Sequence, residues 1–288
     1  MKSLSLLLAA LILCLPLFGC APAGETAQIA ATTGFVYTFT TQLCQGTDLT
    51  VTQLVTENVS CLHDYSLSVR QVRSAEAAEV IVVSGGGLED FMADLLGSKT
   101  TIDCSRGISL LESCHDHDHS DHHHEADPHF WLSPENAKIM VQNISAGLSA
   151  QYPAQASLFE ENLTALLAKL DKLQQYGETQ LSPLQNNELI TFHDGFSYLA
   201  ESFGLNVLKA VEEESGSEAS AAELKELIGL AESHKIPAIF TETNGSTSAA
   251  QIISRETGIP IYTLNMAMTG DYFAAMYHNI DTIKEALG

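Results

Sequence analysis

A chain of 288 residues with 36 acidic against 13 basic side chains carries a formal charge of −23, and a field of that sign repels nucleic acid and anionic lipid surfaces. An acidic surface concentrates cations, although solubility alone also favours one. The length exceeds what a single compact core usually encloses and points to two lobes.

The chain opens on Lys2 and an apolar run through Leu17 and Phe18 to Gly19-Cys20, the pattern of a secretory leader and not of a structural helix. Leu17-Phe18-Gly19-Cys20 resembles a bacterial lipobox, which implies that Cys20 takes lipid and becomes the mature N-terminus. The plainer alternative is an ordinary signal peptide cut slightly later. Residues 21–28 are small and polar and suit a tether. No later apolar run is long enough to span a bilayer, so the expectation is an extracytoplasmic protein anchored to the bacterial cell membrane through lipidated Cys20.

The next elements read as strands at Gln28 to Thr33, Leu49 to Val55, Val80 to Ser84 and Thr100 to Asp103, with helices near Phe35–Cys44, Ser68–Ala77 and Leu88–Leu96. Such alternation gives a mostly parallel lobe. Ser133-Pro134-Glu135 places an N-cap before a proline at the first helical position, so a helix runs from there towards Ala150. After Pro153, Phe159, Leu163, Leu166, Leu167, Leu170 and Leu173 recur at helical spacing to about Tyr176. The second half repeats the alternation, with strands at Glu188–Phe192, Asn206–Val211, Ala238–Thr241 and Ile259–Leu264. Its helices fit Gly195–Phe203, Ala219–Ser233, Thr247–Glu256 and Tyr272–Leu287. The expected fold is α/β, with two lobes, residues 29–150 and 179–288, each a mostly parallel sheet flanked by helices. A long rigid helix over residues 151–178 joins them, and no short repeat suggests a solenoid.

Six cysteines sort by position. Cys14 lies in the leader and Cys20 at the lipid site, leaving Cys44, Cys61, Cys104 and Cys114. An even number in an exported chain suggests disulfides, with three pairings open. No Cys-x-x-Cys spacing supports a thiolate metal site.

Six of the eleven histidines, His115, His117, His119, His122, His123 and His124, fall in Cys114–Glu125, where imidazoles alternate with carboxylates and apolar residues are missing. A tract of that kind cannot pack. Over residues 113–128 it reads as a mobile loop with several weak metal-binding positions. Three isolated histidines carry sharper information. His63 stands in a turn after the strand Leu49–Val55, His193 leaves the strand Glu188–Phe192 directly, and His129 sits between the tract and the capped helix. Ligand crevices in open α/β sheets form outside the carboxyl ends of strands, so the three converge on the cleft between the lobes. Three neutral imidazoles suit Zn2+, with Mn2+, which prefers more carboxylate oxygen, as second choice. His234 and His278 read as surface residues.

At these residues the chain resembles a known family, the cluster A-I solute-binding proteins of zinc and manganese ABC importers, and the resemblance spans nearly the whole mature chain. Leu62-His63-Asp64-Tyr65 fills the first-lobe motif, ahead of Glu79-Val80-Ile81-Val82-Val83 and the turn Gly85-Gly86-Gly87-Leu88-Glu89. Asp127-Pro128-His129-Phe130-Trp131-Leu132-Ser133-Pro134 matches the second motif, and Phe192-His193-Asp194-Gly195-Phe196-Ser197-Tyr198-Leu199 the third. A histidine-rich loop ahead of the second motif is similar to the zinc members. Where many members place a metal-binding carboxylate after the last strand, this chain has Asn265, so the fourth position is open to Asn265, water, Glu242 or a loop histidine.

The resemblance implies a monomeric extracytoplasmic component of an ABC importer that binds Zn2+ and delivers it to a permease and its ATPase. The tract would serve as collector, buffer or sensor of loading. Metal linking the lobes through His63 and His193 implies a small closing movement. Asp64 and Asp194 are candidates to orient the ligands. Two other classes compete: a metal-buffering or adhesin-type surface lipoprotein, and a secreted zinc hydrolase. The hydrolase lacks a His-Glu-x-x-His helix and a Gly-x-Ser-x-Gly elbow, and no enzyme activity is expected.

Overall fold

In the computed structural model the described residues are 27–57, 59, 62, 65–112, 126–211 and 219–288. The first lobe runs β1 (Ile29–Ala31), α1 (Gly34–Leu43), β2 (Val51–Gln53), α2 (Val69–Ala77), β3 (Val80–Val83), α3 (Ala93–Leu96) and β4 (Thr100–Asp103). A 3-10 turn at Phe130–Leu132 leads into α4 (Pro134–Gln151), and α5 (Ala156–Leu181) follows. The second lobe holds β5 (Glu188–Thr191), α6 (Ser197–Ser202), β6 (Asn206–Ala210), α7 (Ala221–His234), β7 (Ile239–Glu242), α8 (Ser248–Thr257), β8 (Ile261–Leu264) and α9 (Tyr272–Leu287).

Both sheets are parallel and share one order, β2-β1-β3-β4 in the first lobe and β6-β5-β7-β8 in the second. The central strands β1, β3 and β7 are buried along their whole length, whereas β2 is only half-buried. That is why the central strands read as apolar runs and an edge strand does not. In each sheet the strand order reverses beside its first strand, which puts the ligand crevice between β1 and β3 and between β5 and β7.

Local signals set most helix starts. Ser133 accepts from the Asn136 amide ahead of Pro134, and Ser68 and Ser220 each form a reciprocal capping box, with Gln71 and Glu223. The long helix α5 continues past Tyr176, through Gly177 to Leu181. A Cβ at Gly177 would stand 2.2 Å from Cε1 of Phe203, so the glycine admits an aromatic ring against the helix, and tertiary packing outweighs its low propensity. The stretch expected as a helix from Leu88 to Leu96 differs as well. Only Ala93–Leu96 is α-helical, after a 3-10 turn at Asp90–Met92, because Glu89 turns inward to bond the ends of β1 and β3.

The cysteine expectation needs correction. Cys44 and Cys104 are both free and buried, one at the end of α1 and the other after β4. Each fills apolar space as a small hydrophobe. Burial pushes the Cys44 thiol up to about 12. Cys61 and Cys114 lie outside the described residues.

One apolar core runs through both lobes, from Phe35 and Phe39 through Trp131 to Tyr272 and Ile280. Trp131 is its junction. Its ring stacks on Phe35 with centroids 4.2 Å apart, its Nε1 donates to the Met266 carbonyl at 2.8 Å, and its own carbonyl accepts from Tyr272 Oη at 2.8 Å. Backbone also meets backbone across the lobes. Gly34 N donates to the Met268 carbonyl at 2.8 Å, and a Cβ on Gly34 would lie 2.7 Å from that oxygen.

Candidate metal centre

His129 precedes the 3-10 turn at Phe130–Leu132, and His193 follows β5 by two residues. Both are buried, at 4% and 6% exposure. Their Nε2 atoms face each other at 3.3 Å, with the rings nearly perpendicular. The opposite ring nitrogens meet carboxylates. His129 Nδ1 lies 2.8 Å from Asp127 Oδ1, which also accepts from the His129 backbone amide at 2.8 Å. His193 Nδ1 lies 3.9 Å from Glu242 Oε1, at the end of β7. The Asp127 carboxylate at His129 Nδ1 fixes the tautomer that leaves that ring's Nε2 lone pair outward, which is how metal-binding imidazoles are held.

Asp127 lies against His129 Nδ1 and Glu242 approaches His193 Nδ1, and Asp194, next to His193 in sequence, is buried as well. Glu242 is itself buried, at the end of β7. A local signal for Asp127 was present in the sequence, since an aspartate two residues ahead of a histidine, across a proline, favours an Asx turn whose carboxylate reaches both groups. Asn265 has both of its oxygens engaged. Oδ1 accepts from Ala267 N at 2.8 Å, and the carbonyl accepts from Asn279 Nδ2 at 2.8 Å. These bonds brace a turn in which Ala267 adopts φ +57°.

His63, Asp64, Cys20 and the tract histidines His115, His117, His119, His122, His123 and His124 lie outside the described residues. Their neighbours are described. Leu62 and Pro128, next in sequence to His63 and His129, line one cavity of about 360 Å³ together with Gly86, Leu88, Phe91 and Leu110. Past residue 63, Tyr65 Oη donates to Glu57 Oε2 at 2.7 Å, and Gln71 Nε2 donates to the same oxygen at 3.0 Å. Glu57 and Tyr65, which flank residues 58–64, are thus tied to the start of α2. His234 pairs with Glu188 at the surface, and His278 is exposed.

The first lobe has its own buried carboxylate. Glu89 Oε1 accepts from Thr32 Oγ1 at 2.6 Å and Ser84 N at 2.8 Å, and Oε2 from Gly85 N at 3.0 Å, joining the ends of β1 and β3. Burial pushes its carboxyl up to about 7, against the pull of these hydrogen bonds and with a small push from Asp103. The native state thus holds the proton more tightly than the unfolded chain, at 4.5. The resulting stability is present below that value and is lost as pH rises through about 7. Between pH 5 and 8 the wild type should lose about 2–3 kcal/mol more than Glu89→Gln. Urea titrations at both pH values test this; equal losses would refute it.

Two parallel α/β lobes, a long helix packed along both, and buried histidines facing each other at the junction define a two-lobed substrate-binding protein. Among the described residues no helix is long and apolar enough to cross a membrane. Residues 29–286 match the family model described as ZnuA, zinc-uptake complex component A, periplasmic, and the chain belongs to that family. It is a family of transport components and not of enzymes, so the hydrolase alternative falls away. The zinc-binding lipoprotein AdcA of Streptococcus pneumoniae is 32% identical over 99% of this chain and 61% of its own length. The chain thus spans about three-fifths of that curated relative. A crystal structure of ZnuA superposes with TM-score 0.82 at 29% identity, covering 92% of this chain and all of that one. Zn(II)-bound AdcA from Streptococcus pneumoniae gives TM-score 0.76 at 30% identity, over 91% of this chain and 58% of that one.

Proposed function

We propose that this protein is the extracytoplasmic zinc-binding component of an ABC importer, taking Zn2+ as cargo on His63, His129 and His193 and delivering it to a permease driven by its ATPase. The observation that carries the reading is the 3.3 Å separation of the His129 and His193 Nε2 atoms. Two nitrogens on one tetrahedral zinc, at bonds of roughly 2.0–2.1 Å, stand about that far apart. The shared cavity beside Leu62 and Pro128 supports His63 as the third ligand. Both Asn265 oxygens already accept hydrogen bonds, which favours water, Glu242 or a loop histidine over Asn265 at the fourth position. Relatives named for zinc favour Zn2+ over Mn2+.

The histidine tract serves as an accessory collector, and the leader, residues 1–20, gives way to a monomer tethered by lipid on Cys20 through residues 21–28. The lobes comprise residues 29–150 and 179–288, with residues 151–178 between them. Competitive zinc titration of the lipid-free chain, with and without residues 115–124, tests the reading. One tight site per chain should survive the deletion. Loss of tight binding with the tract would make the chain a metal buffer instead.

A further inference from the structure

Asp127 orients His129, and the group that holds Asp127 comes from the other lobe. Glu112 and Ala126 form an antiparallel bridge, and next to it Asp127 N donates to the Leu111 carbonyl at 2.8 Å. A regular antiparallel pair would return a bond from Leu111 N to the Asp127 carbonyl. Here the Tyr198 hydroxyl stands between them, accepting from Leu111 N at 2.7 Å and donating to the Asp127 carbonyl at 3.0 Å. Tyr198 belongs to α6, five residues beyond His193, and is 3% exposed. Burial pushes its phenol up to about 12, so the hydroxyl keeps its proton at neutral pH.

We propose that Tyr198 is a positioning residue for metal binding: its hydroxyl, wedged into this short ladder, fixes the Asp127 backbone and hence His129 relative to His193. The inference rests on the reading that these histidines hold zinc. A site of this kind tolerates displacements of only about 0.5 Å. Without the hydroxyl, Leu111 N–H and the Asp127 carbonyl can close on each other at about 2.9 Å. The ladder then heals while Asp127 moves, so the fold persists and the site loosens.

The test is Tyr198→Phe in the full mature chain, read by competitive zinc titration and by the His129 Nδ1–H resonance of the metal-free protein. Zinc affinity should fall about tenfold, the scale of losing support behind a ligand. The resonance should shift, and the unfolding midpoint should change little. Because Tyr198 acts through Asp127, the double variant with Asp127→Asn should lose less than the two single losses combined. Wild-type affinity in Tyr198→Phe, or losses that add in full, would overturn the proposal. Should the phenylalanine variant unfold, 3-fluorotyrosine at position 198 keeps the ring and sharpens the donor; an unmoved His129 resonance would then be fatal. Failure of the zinc reading looks different: His129→Ala would bind zinc as the wild type does, while the resonance still moved in Tyr198→Phe.

Discussion

Zinc affinity is expected to fall roughly a thousandfold when His193 or His129 is replaced by alanine, well beyond the 10–100-fold typical of residues that only support a ligand. Each replacement removes one of the two nitrogens that face each other at 3.3 Å and leaves the surviving lone pair without its partner across the ion. The supporting carboxylates supply the internal control. Asp127→Asn keeps size and the Asx turn but weakens the hold on His129 Nδ1, so its loss should stay in the lower range. Calorimetry against a chelator of known affinity ranks the variants. If His193→Ala lost no more than Asp127→Asn, the facing nitrogens would not be the zinc site.

Trp131→Ala should be the most damaging single change to stability, at about 5 kcal/mol. Truncating a buried aromatic costs about 3–5 kcal/mol, and the Met266 carbonyl loses its indole donor, a further 1–3 kcal/mol or so when a buried group goes unsatisfied. Both losses fall where the lobes meet, since the ring also stacks on Phe35. Trp131→Phe keeps most of the packing and loses the N–H, and should cost about half as much. Urea unfolding of both variants gives the comparison; a cost below about 2 kcal/mol for alanine would show that the core repacks around the gap.

Much of this was legible in the chain because it is locally written. Parallel central strands such as Val80–Val83 appear as apolar runs, and caps such as Ser133-Pro134 announce helix starts. His193 could be placed from the strand that precedes it. The less legible parts depend on distant partners. Gly177 stays helical because Phe203 packs on it, and the helix expected at Leu88 is delayed because Glu89 bonds Thr32, far back in the chain. That Cys44 and Cys104 are free thiols set into the core depends on where the fold places each one, which a count of cysteines does not reveal. The approach of Glu242 to within 3.9 Å of His193 required knowing that β5 and β7 are neighbours.

The direct bond from Gly34 N to the Met268 carbonyl leaves little slack where the lobes meet, since main chain rather than side chain makes the contact. A scaffold fastened in this way cannot advertise its cargo by clapping shut. Whatever tells a loaded molecule from an empty one must be written at the rim of the cleft, in a few side chains and the charge they expose. A membrane partner would then read local texture and not overall shape, and small-angle scattering of the two forms should superimpose.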